Sequence, residues 1–303
     1  MSDTCKILYI FTRTPLHVGA GASVGAIDLP IIRERHTGFP VIPASSLKGT
    51  FADEWNEKSN GSVQRSAEGK WLFGETDANN AAAGALQFSE ARLLAFPIRS
   101  AKGSFAWITC PLILRRASRD GVLRDLPELS DPSETQACFA KDGPLALDDK
   151  IVLEEYTFTH AGDLPDKLGK TLAGLLDDPV WKEVENRLVL LSDGMMSFFA
   201  QNACEIAQHV RIDDETGTAA GGALFNQENV PSETLFYSVL HALPGRGEQF
   251  KDKKSEDALE AFANKVDGKK PFQFGGDAST GLGWCSVILV DPGHGAGSAQ
   301  KGV

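Results

Sequence analysis

The sequence has no closely spaced cysteines. Its five thiols, Cys5, Cys110, Cys138, Cys204 and Cys285, are scattered over 303 residues with no CxxC pair. Neither a zinc knuckle nor a disulfide framework is suggested, and reduced, mostly buried thiols are expected. No apolar run approaches the ~18 residues that would span a bilayer, so no membrane partner is expected. The N-terminal MSDTCK lacks a signal-peptide pattern, which makes a cytoplasmic location the expectation. No glycine-rich stretch ends in GK[ST] or carries dinucleotide-fingerprint spacing, which argues against nucleotide hydrolysis. Cations are the scarcer charge, with 30 Lys and Arg against 41 Asp and Glu and a net charge of −11. A chain of that sign repels a polyanion as a whole and is not an indiscriminate nucleic-acid binder.

Distribution qualifies the total. Acidic residues gather at 125–134, 147–155 and 253–262, whereas basic residues concentrate in IDLPIIRERHTGFPVIPASSLKG, 27–49. There the lone Asp28 sits among Arg33, Arg35, His36 and Lys48. A basic groove on an acidic body fits this pattern.

With 42% hydrophobic and 23% charged residues, the chain has the composition of a globular protein with a full core. KILYIFTRTPLHVG, 6–19, begins with apolar residues on both faces and reads as a central strand. A long loop over 19–44 follows. Leu47, Phe51 and Trp55 then recur every four residues, a helix whose N-cap would be Ser45 or Ser46. Strands are expected in 84–98, in KIVLEEYTF, 150–158, and in RLVLLSD, 187–193, with Asp193 capping the next helix. The stretch 116–149 reads as a loop-rich insertion. The run 216–233 reads as the exposed tip of a hairpin between VRID and TLFYSVLHAL. A last helix, 255–266, leads through GGDASTGLG into the strand WCSVILV, and 292–303 reads as a flexible tail. The order predicts an α+β fold, a ferredoxin-like or RRM-like split βαβ core with large insertions. The RRM aromatic signature is missing, so RNA contacts would not use ring platforms on the sheet.

Four features could carry chemistry, each with a plainer reading beside it. The loop GGDASTGLG could cradle a phosphate on backbone amides or be a tight turn. Lys48, in the first turn of its helix, opposes the macrodipole unless a phosphate binds there, and otherwise is a solvated surface lysine. Asp28 should stay ionised among cations, suiting a metal ligand or weak base, but it could also cap a turn or pair with Arg33. His17 lies one loop upstream and could equally be a strand-end polar residue. The segment holding Thr216, Thr218, Gln227 and Glu228 suits insertion into another molecule's groove or is merely a mobile loop.

The run TPLHVGAG, followed by IDLPIIRERHTGFPVIPASSLKG, resembles the RAMP superfamily of CRISPR-associated proteins, and specifically the backbone subunit of the Cmr (type III-B) effector complex. VRIDDETGTAAGGALFNQENVP is similar to that subunit's thumb, expected here over 210–234, and GGDASTGLGW to the superfamily's glycine-rich loop. The resemblance implies one RAMP domain over 1–303, shaped as palm, fingers and thumb. It implies as partners a CRISPR RNA, a single-stranded target RNA, further copies in a helical filament and other Cmr subunits. Each thumb would displace a nucleotide, and target RNA would be cut beside each kink through 2′-hydroxyl attack with a divalent metal, Mg2+ or alternatively Mn2+. Matched residue by residue, the catalytic group is Asp28, which is also the metal ligand, with His17 and Glu228. RNA binding falls on Lys48, Ser45, Ser46, Arg33, Arg35 and His36. It extends to the glycine-loop residues Gly275, Gly276, Thr280, Gly281 and Gly283, and to the thumb residues Thr216 and Thr218. Asn229 stands where some relatives carry tyrosine, which removes any phenolic role there. A non-catalytic RNA scaffold and a CRISPR RNA-processing endoribonuclease are the alternatives.

Overall fold

The computed structural model describes residues 4–21, 26–59, 62–75, 81–165, 167–213, 215–268 and 270–294. Its centre is a twelve-stranded sheet. The first strand, Cys5–Thr12, is buried along nearly its whole length and runs antiparallel to Leu235–Ala242 on one side and Trp284–Val290 on the other. Beyond Leu235–Ala242 lies Ala91–Arg99, again antiparallel. Taking the four strands in chain order as first to fourth, their spatial order is fourth, first, third, second. The helix Ala44–Asp53 lies between the first and second strands in sequence, and Ser255–Val266 between the third and fourth. This is the expected ferredoxin-like split βαβ arrangement, seen in the pairing pattern.

The two helices share one layer. Leu47 and Phe51 face the core as the four-residue spacing demands, and Trp55 follows just beyond the helix. The Phe51 ring meets Phe262 edge-on at 5.1 Å, while Phe88, Phe272 and Phe274 complete its cage. The helix carries no side-chain cap: Pro43 holds the N-cap position, so Ser45 and Ser46 lie inside the first turn and Lys48 just after it. Proline suits a helix start because it presets φ and has no N–H to satisfy. Ser192 caps Asp193–Asn202, accepting from the Met195 amide, and Asp193 accepts instead from the Leu112 amide.

On its other side the sheet continues through Phe105–Thr109, Leu188–Leu190, Gln136–Cys138 and Tyr156–Gly162 to Lys150–Leu153. The stretch 116–149 is therefore not wholly an insertion, since Gln136–Cys138 is a strand within the sheet and the helix Pro111–Arg119 runs into it. KIVLEEYTF turns on itself as a tight hairpin, with Glu154 at φ +50°. The glycine-rich run expected as an exposed tip is itself a strand: Glu205–Ile212 pairs with Ala219–Asn229, while TLFYSVLHAL belongs to the central sheet. Of the tail, Gly293 donates to the Gly121 carbonyl and Arg124 to that of Pro292, so its start is tied down; 295–303 lie outside the described residues. Cys5, Cys110, Cys138 and Cys285 are buried free thiols and Cys204 is half-buried. No helix among the described residues is long and apolar enough to cross a membrane.

Candidate RNA-cleaving site

The hairpin's return strand is gripped where it re-enters the body, at Asn226–Val230. Leu16 and Val230 exchange both backbone hydrogen bonds, at 2.8 and 2.9 Å. Further along the same strand edge, the Leu29 amide donates to the Asn226 carbonyl and the Glu228 amide to the Leu29 carbonyl. Two segments that follow the first strand, around Leu16 and around Leu29, thus line one edge of the same five residues, and Glu205–Ile212 pairs with the other. His17 and Asp28 owe their neighbourhood to this double pairing.

Asp28 is exposed, yet its backbone is fixed. Its amide donates to Asn226 Oδ1 at 2.8 Å, its Oδ2 accepts from the Asn226 amide at 2.9 Å, and Asn226 Nδ2 donates to the Ala26 carbonyl. Asp28 Oδ1 makes no hydrogen bond among the described residues. The result is a solvent-facing carboxylate with one oxygen anchored and one open.

His17 is 8% exposed. Its Nδ1 lies 2.7 Å from the Glu228 carbonyl, so Nδ1 carries the proton and donates. That tautomer leaves Nε2 as a lone-pair acceptor. A side chain at position 19 would stand 2.9 Å from Nε2, and Gly19 leaves that space open. The glycine-rich loop closes the opposite side: Gly276 donates to the His17 carbonyl at 2.9 Å, and a Cβ at Gly275 would meet that oxygen at 2.0 Å.

Two residues matched to activity and RNA binding face inward. Glu228 is 3% exposed; its Oε2 accepts from the Ile31 amide, and its Oε1 lies 2.5 Å from Arg33 Nη2. Both Nη atoms of Arg33 are engaged, Nη1 also donating to the Gly38 and Ala200 carbonyls and Nη2 contacting Cys204 Sγ. A guanidinium so held is not available to grip a phosphate, because releasing it would strand the Glu228 charge. Cys204, in turn, is pushed up to about 11 by burial despite the facing guanidinium.

The remaining candidates lie on the first helix, the loop before it, the glycine loop and the hairpin tip. Lys48 and Arg35 are exposed, and Lys48 makes no ion pair among the described residues. His36 Nε2 sits 2.9 Å from Arg116 Nη2. Arg116 itself pairs with Glu34, whose carboxyl lies below its ordinary value: burial works against this, but hydrogen bonds from Thr37 and Arg116 outweigh it. Gly275, Gly276 and Thr280 are exposed and Gly281 is half-buried, whereas Gly283 has its side-chain direction filled by the Phe274 carbonyl. Thr216 and Thr218 bond each other at the hairpin tip, where Asp213 Oδ1 also accepts from the Thr216 amide and hydroxyl.

Two features escaped sequence reading. Asn226 clasps Asp28 across 198 residues, a pairing no local pattern reveals. The helix Pro111–Arg119 buries Pro111, Ile113, Leu114 and Ala117 and carries Arg115, Arg116 and Arg119 with no acid. Its signal is the apolar spacing in PLILRRASR, which an insertion starting at residue 116 cuts in two.

The RAMP superfamily model matches residues 10–286. The Cmr endoribonuclease Cmr4 of Pyrococcus furiosus is 32% identical over 96% of this chain and 98% of its own length. A CMR subunit Cmr4 of Saccharolobus solfataricus is 25% identical, covering 78% and 84%. The crystal structure of oligomeric Cmr4 from Pyrococcus furiosus superposes with a TM-score of 0.70 at 25% identity, covering 95% of this chain and 98% of that one. The fold is shared by a cryo-EM structure of type III-B Cmr-beta bound to cognate target RNA, with a TM-score of 0.67 at 20% identity over 94% and 96%. The chain therefore belongs to the RAMP superfamily, in the branch of its Cmr4 relatives.

Proposed function

We propose that this chain is the repeating backbone subunit of a type III-B CRISPR effector, binding guide RNA and cutting complementary single-stranded target RNA at Asp28. The observation that carries the reading is that one hairpin base anchors both an exposed carboxylate, Asp28 through Asn226, and a buried imidazole, His17 through the Glu228 carbonyl. Similarity to an endoribonuclease over 96% of the chain supports it. Copies stack along the guide, and each hairpin pushes into the guide–target duplex and displaces one nucleotide.

That displacement frees a ribose to rotate until its 2′-hydroxyl lines up behind the adjacent phosphorus. The 2′-oxygen bonds to phosphorus as the bond to the 5′-oxygen breaks, leaving a 2′,3′-cyclic phosphate and a 5′-hydroxyl. The hydroxyl proton passes to Asp28 Oδ1 or His17 Nε2, and the departing oxygen takes up a proton. Orienting the reacting groups supplies much of the rate, on the order of 7 kcal/mol in good cases. His17, with Nδ1 locked on the Glu228 carbonyl, presents Nε2 in one orientation.

A divalent cation suits the donor set. Mg2+ is commonly held by one or two carboxylates with waters and substrate phosphates, and Asp28 offers one open oxygen. Among the described residues no group of three His, Cys, Asp or Glu side chains could hold a metal alone, so RNA would supply the remaining ligands. When bound, such an ion would neutralise charge on the scissile phosphate.

The test is Asp28→Ala, assembled with guide RNA and offered labelled target. Cleavage should fall by at least about 100-fold, the scale of losing one general acid–base group, while guide and target binding persist. Cleavage at the wild-type rate would remove the nuclease role from Asp28.

A further inference from the structure

The strand Trp284–Val290 begins with an exposed tryptophan, 40% accessible, directly after the glycine-rich loop. The other four tryptophans, Trp55, Trp71, Trp107 and Trp181, are all buried. Trp284 therefore stands alone, and its ring has neither an aromatic partner nor a cation above it among the described residues.

Its surroundings are polar and cationic. The register Thr12↔Cys285 places Arg13 opposite Trp284, and the Arg13 amide donates to the Trp284 carbonyl at 2.7 Å. Opposed residues of an antiparallel pair share a face. Arg13 Nε donates to Ser286 Oγ at 2.7 Å, on that same face, and Arg13 makes no ion pair among the described residues. On the other flank, Gln273 pairs with Trp284, and its Nε2 lies 3.2 to 3.3 Å from the carbonyls of Phe274, Gly275, Gly276 and Leu282. This amide holds the two ends of the glycine loop together. The loop's middle is left exposed, and Gly276 joins it to the His17 carbonyl.

We propose that Trp284 and Arg13 form a stacking subsite for one unpaired ribonucleotide of the RNA that runs over the glycine loop. The base lies on the indole, where stacking is sequence-tolerant. Arg13 Nη1 and Nη2 then meet the adjoining phosphate, and the loop's exposed backbone permits close approach of the chain. An exposed ring for a base beside a guanidinium for its phosphate is the arrangement that fits RNA as occupant. This placement rests on the RNA-binding reading above and adds to it a ring platform on the sheet, contrary to the expectation drawn from the missing RRM signature.

Because Trp284 is the one exposed tryptophan, the intrinsic fluorescence of the full chain reports on it. Titration with single-stranded polyuridylate should quench the red-edge emission and protect it from acrylamide. Trp284→Ala should abolish that response and weaken binding by about 5-fold or more, the lower end of one stacked base. Trp284→Phe should restore much of the affinity, and Arg13→Glu should lower it and flatten the salt dependence. Lys48→Ala serves as reference for the wider reading. If polyuridylate binds wild type, weakens with Lys48→Ala and leaves the Trp284 variants and emission untouched, the stacking subsite is overturned while the RNA reading stands. If wild type binds no RNA, both are overturned. If emission shifts with protein concentration alone and RNA adds nothing, Trp284 serves contact between copies and the proposal is overturned.

Discussion

Arg33 Nη2 and Glu228 Oε1 meet at 2.5 Å, joining the loop that carries Asp28 to the strand that carries Asn226. The side chains are 18% and 4% exposed, so neither charge is solvated well enough to stand alone. Removing one partner of such a pair strands the other, and about 3 kcal/mol is the expected loss. Arg33→Ala and Glu228→Ala should each lower the urea midpoint by that scale. The double variant should cost clearly less than the two added together, because the second change removes a charge already unpaired. Strictly additive losses would show that the two residues act independently. The chemical consequence is separable: a Glu228 variant loses activity together with stability, whereas Asp28→Ala, at an exposed carboxylate, loses activity with little change in melting.

The glycine-rich loop offers a sharper contrast, because two of its glycines share a backbone conformation but not a neighbourhood. Gly275 has φ +76° and Gly281 φ +89°, both in the region where a Cβ is disfavoured. A Cβ at Gly281 meets nothing within 4 Å, while at Gly275 it would stand 2.0 Å from the His17 carbonyl. Gly281→Ala should therefore cost about 1–2 kcal/mol, the conformational part only. Gly275→Ala should cost more and also displace His17, reducing cleavage beyond what its stability loss explains. Equal costs in thermal unfolding, with cleavage unaffected in both, would show that the loop does not hold His17.

The ferredoxin-like core was legible because local patterns and sheet pairing agree there. Cys5–Thr12 is apolar on both faces and lies in mid-sheet, and Leu47, Phe51 and Trp55 repeat at the interval that buries one helix face. The site was legible only in part. Asp28 and His17 stand in specific motifs, but the clasp with Asn226 depends on a contact 198 residues away, and sequence spacing carries no trace of it. Arg33 misled for a related reason: a cation in a basic run reads as solvated, and only folding shows Glu228, Gly38 and Ala200 closing around it. The return strand of the hairpin was hidden by composition. AAGGALFNQEN holds two glycines and no β-branched residue, yet the continuous ladder from Glu205↔Asn229 to Val210↔Leu224 overrides weak strand propensity.

Glu34 sets the acid limit of the loop. Its carboxylate accepts from Thr37 Oγ1 at 2.6 Å and from Arg116 Nη1 at 2.8 and 3.1 Å, and the group lies below its ordinary value of 4.5. A carboxyl whose folded value is depressed contributes stability above its unfolded value and loses that contribution as pH falls through the folded one. Wild type should therefore lose stability on acidification from about pH 5 downward, and Glu34→Gln should start less stable at neutral pH and fall less steeply over that window. Glu205 and Glu233 work in the opposite sense. Burial raises both, with Asp178 adding to Glu233, so each disfavours the folded state once ionised and stops doing so when protonated at low pH. Glu205→Gln should thus gain stability at neutral pH and lose that advantage on acidification. Urea unfolding followed by circular dichroism at a series of pH values resolves the two signs. Curves for Glu34→Gln and wild type that stay parallel from neutral to acid pH would show that Arg116 and Thr37 do not hold the Glu34 charge.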